Sequence, residues 1–308
     1  MKNITSIIII ISLTISQNIF SQETISFVNN PADSMREAGN LRGAVDEFRK
    51  LIIKNTHDIY VLYNYSCALS IIGQNDSCFK YLNIISKLDT SISTLTDPDF
   101  INIKKDKRWL EYERKLLKMV EIKNKKQYRN IEYTTHLLRM KASDQVYYSE
   151  LKSAEQKIGK NSTVVFALWH IKSEINENNQ KELNLLIDKY GWPKISEVGN
   201  SASNSAFLII QHSDLESQKK YLPIILNLCK VNEASWGNYA LMYDRIKVNE
   251  NKPQKYGSQV RYNEITKIHE FFPIENENEV EALRKEIGLE TLVEYGQNWD
   301  IKFEPKKK

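Results

Sequence analysis

The spacing of apolar and polar positions predicts a mainly α-helical chain. In the N-terminal half, helices are expected at residues 60–72 and 76–87, separated by Gly73-Gln74-Asn75. From Glu132 onward the helical period resumes. Leu183, Leu186 and Ile187 share a helix face that ends at Gly191, and Trp192-Pro193 forbids continuation. Residues 202–210 form a small-residue helix suited to close approach of a neighbour. Ser213, with Glu216 three positions later, predicts a capping box for the next helix. Pro223 should kink or divide that helix. Residues 236–246 are amphipathic. After the polar loop 249–253, the Tyr, Val and Ile content of 254–274 predicts one or two short β-strands. A short helix is expected at 279–285.

The N-terminal half contains an internal repeat. Ala38-Gly39-Asn40 recurs in form as Ile72-Gly73-Gln74, a shift of 34 positions that also carries Ala44 onto Cys78 and Phe48 onto Leu82. Paired antiparallel helices need small residues at their crossing, large apolar ones a turn later and glycine at the turn. The pattern resembles the tetratricopeptide repeat over about residues 30–90, in roughly two units, although that repeat's Trp, Leu-Gly and terminal Pro are largely missing. Two units bury little core, so a cap is expected within 30–118. Asp97-Pro98-Asp99-Phe100 and Lys107-Arg108-Trp109 supply it, with Phe100 and Trp109 as apolar plugs. Repeat surfaces often bind a protein or peptide partner. Tyr63, Asn64 and Asn83 are the candidates here, and a docking or spacer role is the plainer expectation. The lysine-rich stretch 112–128 lacks Gly, Pro and Ser, which predicts a semi-rigid helical connection.

The first residues change the expected compartment. Met1-Lys2-Asn3, an apolar run from Ile4 to Ile15 and Ser21 before Gln22-Glu23 have the form of a secretory signal peptide, residues 1–21. The run is short for a bilayer span, and no cysteine near the cut favours a lipoprotein. Export to the periplasm or beyond is therefore expected, with an uncleaved anchor as the alternative. The formal net charge of +4 is too mild to imply nucleic acid. The local basic excess from Lys104 to Arg129 is interleaved with acidic residues and reads as a solvated helix face. Three cysteines make no disulfide scaffold. Cys67 and Cys78 are either bridged across the Gly73 turn or buried singly at helix contacts.

Candidate chemistry concentrates between Ile209 and Gln259. Gln211-His212-Ser213-Asp214, Gln218, Asp244-Arg245 and Gln254 to Gln259 place costly polar groups in a segment that otherwise reads as core. His212 at a helix end, favoured as imidazolium by the dipole, is a candidate acid or base. Asp214 or Asp244 would orient it or act as a second acid/base, and Arg245 would stabilise developing charge. Each has a structural alternative: a satisfied histidine, a first-turn acid for Asp214, a buried ion pair for Asp244 and Arg245. Asp244 and Arg245, adjacent on a helix, should point about 100° apart and do different jobs. Gln254, Tyr256 and Ser258 fall on one strand face and Gln259 on the other, with Gly257 as a close approach or bulge. With Gln211 and Gln218 they suit a neutral polar ligand such as a sugar or peptide. His212, Asp214 and Asp244 supply at most three metal ligands with no two-His or Cys-pair motif, so no metal or cofactor is expected. No Gly-x-Ser-x-Gly elbow activates a serine.

Taken in order, Asp144-Gln145, Gly191-Trp192-Pro193, Val198-Gly199, Gln211-His212-Ser213-Asp214, Asp244-Arg245 and Gln254-Lys255-Tyr256-Gly257-Ser258-Gln259 resemble an uncharacterised bacterial domain family. That family is often found in exported proteins and is sometimes joined to tetratricopeptide-like repeats. The resemblance spans about residues 130–297 and adds Asp144 and Gln145 to the ligand-binding candidates. One departure stands out: an arginine expected after the Asp-Gln pair is replaced by Tyr147-Tyr148, which, with no glycine-rich phosphate loop in the chain, argues against an anion at that corner. The expected organisation is a signal peptide at 1–21, tetratricopeptide-like hairpins with a cap at 30–118, a helical domain with one or two short strands at 130–300, and a basic tail at 301–308. Two function classes remain. One is an exported cell-envelope binding or scaffold protein. The other is a hydrolase-like enzyme using His212 with Asp214 or Asp244.

Overall fold

The computed structural model describes residues 30–54, 57–263 and 265–304. The expected leader, 1–21, and the end of the basic tail, 305–308, lie outside the described residues. Two helical hairpins open the fold: α1 (Pro31–Glu37) with α2 (Leu41–Lys54), and α3 (Ile59–Ile71) with α4 (Asn75–Leu88). Their turns are built alike. Gly39 and Gly73 take φ of +81° and +76°, the left-handed conformation that only glycine adopts without strain. Beyond them Asn40 N–H donates to Met35 O at 2.8 Å and Gln74 N–H to Leu69 O at 2.9 Å. The 34-residue shift therefore relates hydrogen bonds as well as residues. Ala44 and Cys78, like Phe48 and Leu82, are fully buried. Cys67 and Cys78 are free, buried thiols rather than a bridge, and the Cys78 thiol donates to Ser66 O.

The cap folds back over these hairpins. After the single turn α5 (Ser93–Thr96), Pro98–Phe100 forms a 3-10 turn with Asp97 as its N-cap. Arg36 bridges Asp99 Oδ2 at 2.5 Å and Asn64 Oδ1 at 2.7 Å, while the Tyr63 hydroxyl donates to Asp97 at 2.7 Å. Phe100 is fully buried against the Tyr63 ring. The expected groove residues Tyr63 and Asn64 are thus taken by the chain itself. Asn83 donates to Phe79 O on its own helix. Trp109 plugs the start of α6 (Arg108–Asn124), as expected, but this helix ends four residues before Tyr128, at a left-handed Lys125.

The second half begins with α7 (Ile131–Gln145), and it shares one continuous core with the repeats. Glu113 of α6, buried, holds Arg139 of α7 through two charge-assisted hydrogen bonds. Then follow α8 (Tyr148–Ile158), the 28-residue α9 (Thr163–Tyr190), α10 (Ile195–Val198) and α11 (Asn200–Gln211). Small residues Ala202, Ser203, Ser205 and Ala206 let α11 pack closely on α7. Helix α12 (Leu215–Cys229) corrects two expectations. Its N-cap is Asp214, which accepts Ser217 N–H at 2.8 Å, whereas the Ser213 hydroxyl turns back to Ile210 O. Pro223 does not divide it: the helix runs on through Pro223, which lies with Lys219 on its exposed face.

Helix α13 (Trp236–Asn249) leads through a loop to an antiparallel pair, β1 (Val260–Asn263) and β2 (Ile268–Phe271), with Val260 opposite Phe271. Residues 254–259 are loop rather than strand. Only Gln254 bridges to Ile274, and Gly257 at φ +72° breaks the extended run. Two short helices, α14 (Val280–Glu286) and α15 (Leu292–Gln297), close the fold. Among the described residues, no helix is long and apolar enough to cross a membrane.

Candidate functional site

Packing of α7 against α9 and α11 brings Asp144 to His212. Asp144, 1% exposed, ends α7; His212 is the C-cap of α11. His212 Nδ1 lies 3.0 Å from Asp144 Oδ1, and Gln145 Nε2 donates to Oδ2 at 2.6 Å. Lys172 of α9, also 1% exposed, donates its ammonium to the Asp144 backbone carbonyl and lies over the Tyr148 ring, 4.3 Å from its centroid. The Tyr148 ring stands 6.1 Å from His212, centroid to centroid. Tyr147 makes this possible by taking φ +71°, a left-handed turn that costs a non-glycine residue about 1–2 kcal/mol.

The backbone beside His212 is a second point of convergence. Gln211 O accepts Arg245 Nη1 at 2.7 Å and Gln218 Nε2 at 3.1 Å, and Gln218 also reaches Ser213 O. Around these bonds Gln211 Oε1, Gln218 Oε1 and Arg245 Nε are buried with no hydrogen-bond partner. Such atoms carry an uncompensated desolvation cost of roughly 1–3 kcal/mol each.

Burial shapes the charges here. It would raise the Asp144 carboxyl, but the charge and hydrogen bond of His212, then Lys172 and Gln145, bring it below its ordinary value. Burial lowers the Lys172 ammonium against the pull of Asp144. It also brings Arg245 down to about 10, so the guanidinium stays cationic at neutral pH. The Tyr148 phenol is raised by burial first and by Asp144 second.

The remaining candidates separate from this cluster. Asp244 is fully buried and gives both carboxylate oxygens to the 254–259 loop, accepting N–H groups of Lys255 at 2.8 Å, Tyr256 at 3.0 Å and Ser258 at 2.9 Å. Gln254 closes the same loop, accepting Gln259 N–H and donating to Gln259 O and Phe272 O. Gln259 donates to Leu241 O, and Tyr256 joins the rings of Tyr239 and Tyr243. Neighbours in sequence, Asp244 and Arg245 do serve different elements. Asp214, exposed, bonds Ser217 and Gln180 rather than His212. Among the described residues the group with metal-ligand spacing is Cys67, Asp97 and Asp99, and there Arg36 and Tyr63 already engage the carboxylates.

Lys172 and Asn179 were not expected. A signal for them exists: Val165, Lys172 and Asn179 recur every seventh residue along α9, so two polar residues interrupt its buried stripe. Of the Tyr147-Tyr148 pair that stands where the resemblance implies an arginine, Tyr148 lays its ring beside His212 and Lys172.

No curated protein and no solved structure matches the chain. The sequence model of the family of unknown function DUF6624 matches residues 132–305, which include every residue of this cluster and more than half of the chain, so the chain belongs to that family.

Proposed function

We propose that this chain is an exported binding protein of the cell envelope whose C-terminal half holds a polar ligand at the Asp144–His212 cluster. The observation that carries this reading is the set of unpartnered buried atoms, Gln211 Oε1, Gln218 Oε1 and Arg245 Nε, on residues that converge at the Gln211 carbonyl next to His212. Buried polar groups are ordinarily satisfied internally, as the Asp244 carboxylate is by three backbone N–H groups, so three unpartnered atoms together favour a ligand. Export rests on the pattern of residues 1–21. The tetratricopeptide-like hairpins join the C-terminal half through a shared core, and α6 beyond their cap is tied to α7 by Glu113 and Arg139. Since their Tyr63 and Asn64 are occupied, a protein partner would use another face of them.

The test is a thermal-shift and calorimetric screen of saccharides, amino acids and short peptides against the parent and Asp144→Asn. A ligand should bind the parent and fail to bind the variant. Equal binding to both would move the site elsewhere.

A second reading, acid/base catalysis of a hydrolytic reaction, draws on the same pair. With Nδ1–H donating to Asp144, which takes the orienting role expected of Asp214 or Asp244, His212 keeps Nε2 for proton transfer. Turnover of a bound ligand that stops in His212→Gln, with binding retained, separates this reading from simple binding.

A further inference from the structure

Resting on the binding reading, we infer that the group recognised at this site is an oxyanion, a carboxylate or phosphate, received by Arg245 with Lys172 as the second cation. Three buried or half-buried charges stand around Tyr148: Asp144, Lys172 and Arg245. The Asp144 carboxylate is engaged by His212 and Gln145. Lys172 donates to a backbone carbonyl, and so does Arg245. Among the described residues neither cation lies within ion-pair distance of a carboxylate, so the site carries one more positive than negative charge. Burying such a charge without a partner is costly, and an anion is the partner that offsets it.

The rest of the fold supplies the contrast. Arg139 is paired with Glu113. Arg284, buried and likewise without a carboxylate, gives its Nε to Glu290 O and its Nη1 to Tyr256 O, so it is a satisfied structural arginine. Arg245 differs because its Nε is buried and unspent beside one used Nη. A planar fork with free donors matches the paired oxygens of a carboxylate or phosphate. Arg245 and Tyr148 are half-buried, so the guanidinium lies near the surface of the cluster. The inference replaces the neutral ligand expected from the glutamines and Tyr256, since Gln254 and Tyr256 are held in the Asp244 loop and the Gln259 amide donates to Leu241 O. It also reverses the expectation against an anion, because Arg245 supplies a guanidinium from another helix.

The experiment follows the arginine side-chain Nε–H resonances of the 15N-labelled chain during titration with inorganic phosphate and, separately, sodium acetate. Sodium chloride at equal ionic strength is the reference, and Arg245→Lys assigns the Arg245 signal. A saturable shift of the Arg245 Nε–H with either oxyanion supports the inference. Phosphate alone identifies a phosphoryl group, and acetate alone a carboxylate. Binding to Arg245→Lys should be about tenfold weaker, because charge is kept and the fork lost. No saturable shift beyond chloride, or saturable binding that leaves the Arg245 signal unmoved, overturns the inference. A neutral ligand that binds the parent but not Asp144→Asn would sink this inference while leaving the binding reading standing.

Discussion

His212 Nδ1 and Asp144 Oδ1 stand 3.0 Å apart although 68 residues separate them in the chain. Two helix ends meet there, the last turn of α7 and the cap of α11. Because Asp144 is buried, removing either member strands the other in a low-dielectric site. Asp144→Asn and His212→Ala should each cost about 3 kcal/mol, and the double variant little more than either alone. Chemical denaturation of the four proteins measures this, and additive losses would mean that the pair is not coupled.

Acid should find the same contact. Asp144 titrates below its ordinary value because His212, Lys172 and Gln145 outweigh its burial. A folded pKa below the unfolded value of about 3.9 stabilises the fold above that pH, and the contribution disappears as pH falls through the folded value. The stability difference between the parent and Asp144→Asn should therefore shrink as pH falls below about 4. Urea midpoints across that fall in pH report it, and a difference that grows on acidification would reverse the assigned sign.

Asp244 organises a loop. Three backbone N–H groups depend on its carboxylate, so Asp244→Ala should cost about 3 kcal/mol. The amides of Lys255, Tyr256 and Ser258 should lose their protection from hydrogen exchange. Retained protection would show that the loop is held by Gln254 and its other contacts alone.

The repeat makes a paired prediction. Gly39 and Gly73 share left-handed backbone, and an added Cβ meets no atom within 4 Å at either position. Gly39→Ala and Gly73→Ala should therefore each cost about 1–2 kcal/mol through backbone strain alone, and nearly the same amount. Unequal costs in thermal denaturation would show that the two turns bear different loads.

Much of the fold was legible from local pattern. The helices α3, α4, α11 and α13 lie within a few residues of the spans read from periodicity, and the Gly39–Gly73 correspondence carried through to hydrogen bonds. Errors fell where two local signals competed. Ser213 and Asp214 are both good N-caps, and the choice of Asp214 turned on one residue of register. Residues 254–259 have strand composition, yet the buried Asp244 collects their N–H groups and Gly257 turns the chain. The site was half legible. Gln211, His212, Gln218 and Arg245 do converge, whereas Lys172 sat unremarked on the buried stripe of α9.

Periodicity, turn glycines and the placement of polar residues within an apolar segment act over a few residues, so they can be read along the chain. They set the helical class, the repeat and the neighbourhood of His212. The partner of His212 depends instead on how α7, α9 and α11 cross, which is a matter of side-chain packing between distant segments. That packing selected Asp144 over the nearer Asp214, set Lys172 and Arg245 beside it, and turned Asp244 away to hold a loop.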